Sequence, residues 1–245
     1  MRTPRVFHSF PLAGLERVPL GAAAAKHLIT VLRLKPGASL ILFDGSGFEY
    51  EATLEQADKK QAWVKILRSH GPAVESPLQV SLAQGISRGE RMDYTVQKAV
   101  ELGIAAILPV LTERSVVKLD AVAAEKKRAH WQAVVTSACE QSGRVKVPPV
   151  ALPESFGHFL DRQRGSELKL LLDPLAESGL DGLSRPKEGK VILLVGPEGG
   201  LSESERELAK RVGFEGLRLG PRILRTETAA LVALSLLQSH WGDLA

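Results

Sequence analysis

The stretch Val191-Ile-Leu-Leu-Val-Gly196-Pro197-Glu198-Gly199-Gly200-Leu-Ser202-Glu-Ser-Glu205 decides how the chain is read. Five consecutive apolar residues describe a strand buried on both faces, as in a parallel sheet covered by helices. The glycine-rich turn after it lets a ligand approach the backbone closely, and Ser202 with Glu205 has the capping-box spacing that starts a helix. In such a sheet ligands sit beyond the carboxyl ends of the strands, so residues 196–200 are a candidate pocket. The turn is neither the G-x-G-x-x-G of dinucleotide binding nor a phosphate loop, and it lacks the lysine a triphosphate would want. Glu198 at its mouth suits a neutral or cationic ligand. Taken in isolation, the stretch is equally a strand-to-helix turn whose glycines serve geometry only.

Working outward, strand-like runs at 78–84, 105–109, 168–172 and 216–219 alternate with helical patterns, which predicts an α/β domain. Met92, Val96, Ala99 and Val100 recur at helical spacing, and Gly103 stands where that helix should end. A second helix should start at Asp120 as N-cap and run to about Cys139. Residues 227–238 are apolar almost all round, so this last helix needs more cover than one sheet face supplies, and a subunit interface would provide it. Before it lies Leu219-Gly220-Pro221-Arg222-Ile223-Leu224-Arg225-Thr226-Glu227-Thr228. Gly220-Pro221 forces a turn and Thr226 can cap the helix. Arg222 and Arg225 therefore lie near a helix N-terminus, where a cation gains nothing from the dipole. Their placement suggests an anionic partner, with a salt bridge to Glu227 as the plain alternative.

The N-terminal part has a different pattern. Short β runs at 5–7, 39–43, 48–54 and 62–67 surround one helix candidate at 22–32, and Asp44-Gly45-Ser46-Gly47 reads as a hairpin loop. This predicts a small β-barrel or curled sheet over residues 1–70. The breaker-rich stretch 71–77 reads as a linker, and 78–245 as the α/β domain. Residues 1–70 hold ten Lys and Arg against six acids, whereas the remainder is balanced at 22 of each, so the net charge of +4 sits entirely in the N-terminal part. A small nucleic-acid handle on a neutral body has this distribution, as does any mildly basic domain.

With 44% hydrophobic and 24% charged residues, the 245-residue chain is neither disordered nor fibrous. No apolar run spans a bilayer and the charged first ten residues are no signal peptide, so a cytoplasmic location is expected. The single Cys139 excludes an internal disulfide and a thiolate zinc site, and the six histidines lack metal or triad context, so no metal is expected. Three arginine-bearing groups could meet phosphate or simply be solvated: Arg88 and Arg91 after the first α/β strand, Arg114 after the next, and Arg144 at a helix end.

The loops Gly196-Pro-Glu-Gly-Gly200 and Leu219-Gly-Pro-Arg-Ile-Leu-Arg-Thr-Glu-Thr228 resemble the RsmE family of bacterial 16S ribosomal RNA uridine-N3 methyltransferases, of the SPOUT superfamily. Arg88-Gly-Glu-Arg-Met-Asp-Tyr-Thr-Val-Gln-Lys-Ala-Val-Glu-Leu-Gly103, Thr112-Glu-Arg-Ser115, Ala138-Cys-Glu-Gln-Ser-Gly-Arg144, Val31-Leu-Arg-Leu34 and Phe43-Asp-Gly45 extend the resemblance, in order, over nearly the full length. It implies a PUA-like RNA-binding barrel, an α/β domain with a deep trefoil knot, S-adenosylmethionine as methyl donor, and a homodimer. The donor would lie against Leu171, Leu172, Gly196, Pro197, Glu198, Gly199, Gly200, Leu219, Gly220, Ile223, Leu224 and Thr226.

Methylating uridine N3 requires loss of its imide proton and stabilisation of the charge that develops on oxygen. Arg225 is expected to meet that charge and Glu227 or Glu198 to take the proton. Arg88, Arg91, Arg114, Arg144 and Arg222, with Arg2, Arg5 and Arg33 of the N-terminal part, are expected to hold RNA. The competing expectations are a non-catalytic RNA-binding ribosome-assembly factor, or the same enzyme type acting on another RNA.

Overall fold

In the computed structural model, which describes residues 3–58, 61–115, 119–163, 165 and 167–244, the chain forms two compact units. The first comprises residues 1–75 together with 139–147, and the second residues 76–138 and 148–245.

The first unit is a five-stranded sheet of β1 (Arg5–Phe7), β2 (Arg17–Leu20), β3 (Ser39–Phe43), β4 (Glu49–Ala57) and β5 (Ala62–His70), in the order β1-β3-β4-β5-β2. Alternation decides which face is inside. Leu40, Leu42, Tyr50, Ala52, Leu54 and Val64 point inward, and α1 (Ala22–Lys26) adds Ala25 to the same core. Register shifts between Glu51 and Ala52 and between Leu54 and Gln56 mark where β4 curls against β5. Strand β2 has no counterpart in the sequence reading, because Pro19 argues against a strand interior. Its position at the sheet edge, paired only with β5, is where a missing N–H is tolerated.

Residues 139–147 return to this unit through buried charge. Arg144 donates to Glu75 Oε2 at 2.6 Å, while Glu75 Oε1 accepts the amides of Val145 and Lys146 at 3.0 Å. Arg5 pairs with Glu49 and donates to the Arg144 carbonyl at 3.2 Å. The expected solvated helix end at Arg144 is therefore a buried junction.

The second unit is a six-stranded sheet of β6 (Gln79–Gly85), β7 (Ala106–Leu111), β8 (Glu154–Ser155), β9 (Leu168–Leu172), β10 (Lys190–Val195) and β11 (Glu215–Leu217). Its order is β11-β9-β10-β6-β7-β8, and every pairing is parallel. Between and after these strands run α2 (Glu90–Glu101), α3 (Ala121–Ser142), α4 (Phe156–Asp161), α5 (Glu203–Arg211) and α6 (Thr226–Trp241). Residues 191–195 of β10 are all buried, as the continuous apolar run requires. Asp120 accepts the Ala123 amide at 2.7 Å as the N-cap of α3, and Gly103 closes α2 at φ +83°. The two-residue β8 and the short α4 escape a reading based on periodicity, because neither is long enough to repeat. Helix α6 packs against α2, β6 and β10 but leaves Val232 and Leu236 more than a third exposed. Among the described residues, no helix is long and apolar enough to cross a membrane.

Because all six strands are parallel, their carboxyl ends lie on one edge of the sheet, and the loops after β6, β9, β10 and β11 meet there. The closest approach is at Gly85, where a Cβ would stand 2.5 Å from both the ring Cδ and the nitrogen of Pro197. Replacing Gly85 by Ala should therefore push the 196–200 loop out of place and destabilise the unit by roughly 1–3 kcal/mol. Urea unfolding of Gly85→Ala against the parent protein measures this.

Candidate functional site

A cavity of about 550 Å³ lies at this edge of the second unit. That volume lies within the usual range for a small-molecule site. Its walls are residues 172–174 after β9, 195–201 after β10, 217–220 after β11, and the segment 222–227 that enters α6. Arg91, Arg114, Arg206 and Ala229 complete the lining.

Local bonding shapes each wall. Gly200 donates to the Pro197 carbonyl at 2.8 Å to close the turn and adopts φ +67°. A Cβ on Gly196 would lie 2.9 Å from the backbone of Gly200 and Leu201, so this turn requires glycine. The Ser202–Glu205 capping box forms as the spacing requires. Glu205 also accepts the Glu113 amide at 2.7 Å, and Arg114 donates to the Gly199 carbonyl at 2.9 Å. Beneath the cavity, Gln84 is 1% exposed. Its Nε2 donates to Thr226 Oγ1 at 2.9 Å and to the Gly85 carbonyl at 3.0 Å, and Thr226 Oγ1 donates to the Gly196 carbonyl at 2.6 Å. The expected helix cap at Thr226 is thus a correction. Arg225 is the N-cap residue, without a side-chain cap, and the Thr226 hydroxyl instead joins the 196 and 226 loops.

The charges divide into paired and unpaired groups. Glu198 Oε1 accepts the Arg88 amide at 3.0 Å and Arg91 Nη1 at 2.8 Å. Burial by itself would raise the Glu198 carboxyl, but hydrogen bonds from its own amide, the Arg88 amide and Arg91 outweigh this and hold it below the usual carboxylate range. A carboxylate so engaged is a weaker base than a free one. Asp173, 5% exposed, accepts the Leu175 amide at 3.0 Å and lies 3.8 Å from Arg206 Nε. Glu227 differs: its Oε2 is buried at the cavity with no hydrogen-bond partner. Neither Arg222 nor Arg225 pairs with it, and among the described residues Arg218, Arg222 and Arg225 make no ion pair. The cavity therefore combines one unsatisfied carboxylate oxygen with three free guanidinium groups.

Of the expected ligand-binding residues, Leu172, Gly196, Pro197, Glu198, Gly199, Gly200, Leu219, Gly220, Ile223, Leu224 and Thr226 line this one cavity. Leu171 does not; it is fully buried in the apolar core, because strand alternation turns it away from its neighbour Leu172. Arg222 and Arg225 are at the wall, while Arg91 and Arg114 are there but bonded to the 196–200 loop. Arg88 reaches the loop through its backbone. Arg33 is exposed in the first unit and Arg2 lies outside the described residues. Arg5 and Arg144, with side chains only 6% and 9% exposed, are paired with the carboxylates of Glu49 and Glu75 within the first unit. Asp173, at the end of the loop 171–173 that the family resemblance assigns to the donor, also lines the cavity, whereas Gln84, Arg206 and Arg218 were not singled out by their spacing. A polar residue at the end of an apolar strand was the available signal for Gln84. Cys139 is buried, which pushes its thiol up to about 12 and leaves it a poor nucleophile.

The RNA methyltransferase domain family matches residues 74–238, and the PUA domain family of RNA methyltransferases matches residues 20–67. Ribosomal RNA small subunit methyltransferase E of Buchnera aphidicola (subspecies Schizaphis graminum) is 33% identical over 100% of this chain and 99% of its own length. The protein of the same name from Bacillus subtilis is 36% identical over 85% of this chain and 84% of its own. The crystal structure of a ribosomal RNA small subunit methyltransferase E from Neisseria gonorrhoeae, bound to S-adenosylmethionine, superposes with a TM-score of 0.93 at 41% identity, each chain fully covered. A Legionella pneumophila protein in complex with the same cofactor gives 0.94 at 40% identity, again over both full chains. The cavity, its glycine turn and these full-length likenesses place the chain in the RNA methyltransferase family of ribosomal RNA small subunit methyltransferase E.

Proposed function

We propose that the protein methylates N3 of a uridine in 16S ribosomal RNA, with S-adenosylmethionine as donor, in the cytoplasm where small subunits are assembled. The observation that carries this reading is the Glu227 carboxylate oxygen, buried and unpartnered, in the same cavity as the unpaired Arg225. A chain of this family that builds one proton acceptor and one free guanidinium into its cavity has what uridine N3 demands.

The cavity fits the donor on its own features. Gly200 and Gly220 both have open space where a side chain would stand, so a ligand can approach the backbone closely there. Residues 196–200 with Leu172, Leu219, Gly220, Ile223, Leu224 and Thr226 would hold it. When bound, S-adenosylmethionine supplies a methyl group activated on a sulfonium and leaves as the neutral thioether. Glu227 Oε2 takes the N3 proton, and Arg225 stabilises the charge that moves to the uracil oxygens. Glu198, locked to Arg91 and the Arg88 amide, shapes the turn instead of moving a proton. Arg222 in the second unit and Arg33 in the first contact RNA phosphates, with the PUA-like unit serving RNA binding and the α/β unit serving transfer. Support for a trefoil-knotted SPOUT arrangement comes from the strand order β11-β9-β10-β6 and from the loops after β9, β10 and β11 lining one cavity. The half-exposed Val232 and Leu236 on α6 support a homodimer built on that helix.

Incubating the protein with labelled S-adenosylmethionine and small subunits from a strain lacking the gene should place label in 3-methyluridine of 16S RNA. Retained RNA and donor binding without label would favour another RNA target, and loss of donor binding as well would favour a non-catalytic assembly factor. Arg225→Ala should lower kcat by about 10²–10³-fold with donor affinity by calorimetry unchanged; a parallel fall in donor affinity would make Arg225 a donor contact. Glu227→Gln should lower kcat by about 10²–10⁴-fold while donor affinity by calorimetry stays unchanged. Val232→Asp with Leu236→Asp should halve the mass seen by light scattering.

A further inference from the structure

Between Glu16 and Asp44 the chain carries no carboxylate side chain, yet it carries Arg17, Lys26, Arg33 and Lys35. Arg17 is occupied by Glu55 at 2.7 Å and lies over the Trp63 ring. Lys26, Arg33 and Lys35 are exposed and make no ion pair among the described residues. Within this segment α1 widens into a π-turn over His27–Val31, closed by the Leu32 amide on the His27 carbonyl at 3.0 Å. The Leu34 amide then reaches the Leu28 carbonyl at 2.9 Å. This closure puts Arg33 in the left-handed region, φ +53°, the one such non-glycine residue among those described. Glycine is the usual occupant of that position, and an arginine there is sterically strained. Single-turn π segments and residues held in left-handed backbone cluster at functional sites. Leu28 anchors the turn in the core, but Val31 and Leu32, between that anchor and Arg33, are 63% and 38% exposed.

A strained cation next to two exposed aliphatic side chains, in a segment free of acids, fits a ligand with both phosphates and accessible apolar faces. Duplex RNA hides its base faces in the stack, whereas single-stranded RNA can splay them. We propose that the Val31-Leu32-Arg33 tip of the first unit is a contact for single-stranded RNA. Val31 and Leu32 lie against unstacked bases, and Arg33 takes a phosphate with Lys26 and Lys35 alongside. This rests on the reading of the protein as an RNA methyltransferase and goes beyond it by naming the strand state and the surface.

Strain and function pull Arg33 in opposite directions, which gives the test its sign. The full-length protein is titrated with a fluorescein-labelled, uridine-rich single-stranded oligoribonucleotide, and with the same RNA annealed to its complement, across a salt series. Arg33→Gly should weaken single-strand binding about three- to tenfold and reduce the log–log salt slope by about 0.7, while Tm stays level or rises as the strain is released. Arg33→Ala should lose the same affinity without the gain in Tm. Val31→Ser with Leu32→Ser should weaken the single strand and leave the duplex unchanged. Unchanged single-strand affinity in Arg33→Gly, or a fall in its Tm, overturns the proposal, as does a parent protein that binds duplex equally well. Parent protein that methylates 16S RNA while Arg33→Gly binds normally refutes this inference alone; parent protein that neither binds nor methylates RNA refutes the functional reading.

Discussion

The buried amide of Gln84 is the point on which the cavity depends. Its Nε2 reaches Thr226 Oγ1 and the Gly85 carbonyl, and the Thr226 hydroxyl reaches the Gly196 carbonyl. Three segments far apart in the chain, the ends of β6 and β10 and the start of α6, are thereby tied in one hydrogen-bonded junction. A buried donor contributes stability only when it is bonded, and Gln84 Nε2 is bonded although Oε1 of the same amide is buried without a partner, so the donor side of the amide restricts where the loops can sit. Gly85 enforces the same outcome sterically, because the Pro197 ring fills the space of its missing side chain. The glycine turn thus rests on a bed that side chains of ordinary size would disrupt.

Parallel strands explain why the junction can exist at all. Each crossover returns the chain to the same end of the sheet, so loops separated by tens of residues converge on a single edge. Charge then sorts itself by proximity. Arg91 and the Arg88 amide neutralise Glu198, Arg206 approaches Asp173, and Arg114 holds the Gly199 carbonyl. What remains unpaired at the cavity is Glu227 Oε2, with Arg218, Arg222 and Arg225. In the first unit the same sorting removes Arg5 and Arg144 into buried pairs and leaves Lys26, Arg33 and Lys35 outside. The arginines and lysines left unpaired are those for which the fold supplies no carboxylate.

The α/β class of the second unit, the curled sheet of the first, the capping box at Ser202 and Glu205, and the two loops of the cavity were all legible in the sequence. They depend on periodicity, on turn chemistry and on spacings within one element, which are local properties. Strand β2 was hidden by Pro19, whose tolerance depends on an edge position that the order of strands decides. The role of Thr226 was misjudged for a similar reason: a threonine caps a helix only from the N-cap position with its oxygen accepting a backbone amide, whereas Thr226 is the first helical residue, and its Oγ1 accepts from Gln84 Nε2 and donates to the Gly196 carbonyl, thirty residues away in sequence. Charge alone could not separate Arg5 and Arg144 from Arg33 and Arg222, since all are arginines beside strands or helix ends. Nor could it show that Glu198 is spoken for and Glu227 is not. By itself, therefore, the sequence determined which elements form and where ligands can approach, because hydrophobic period and glycine placement act within a few residues. Tertiary structure alone decided which charges are free to act, because pairing depends on distances between segments that local chemistry does not set.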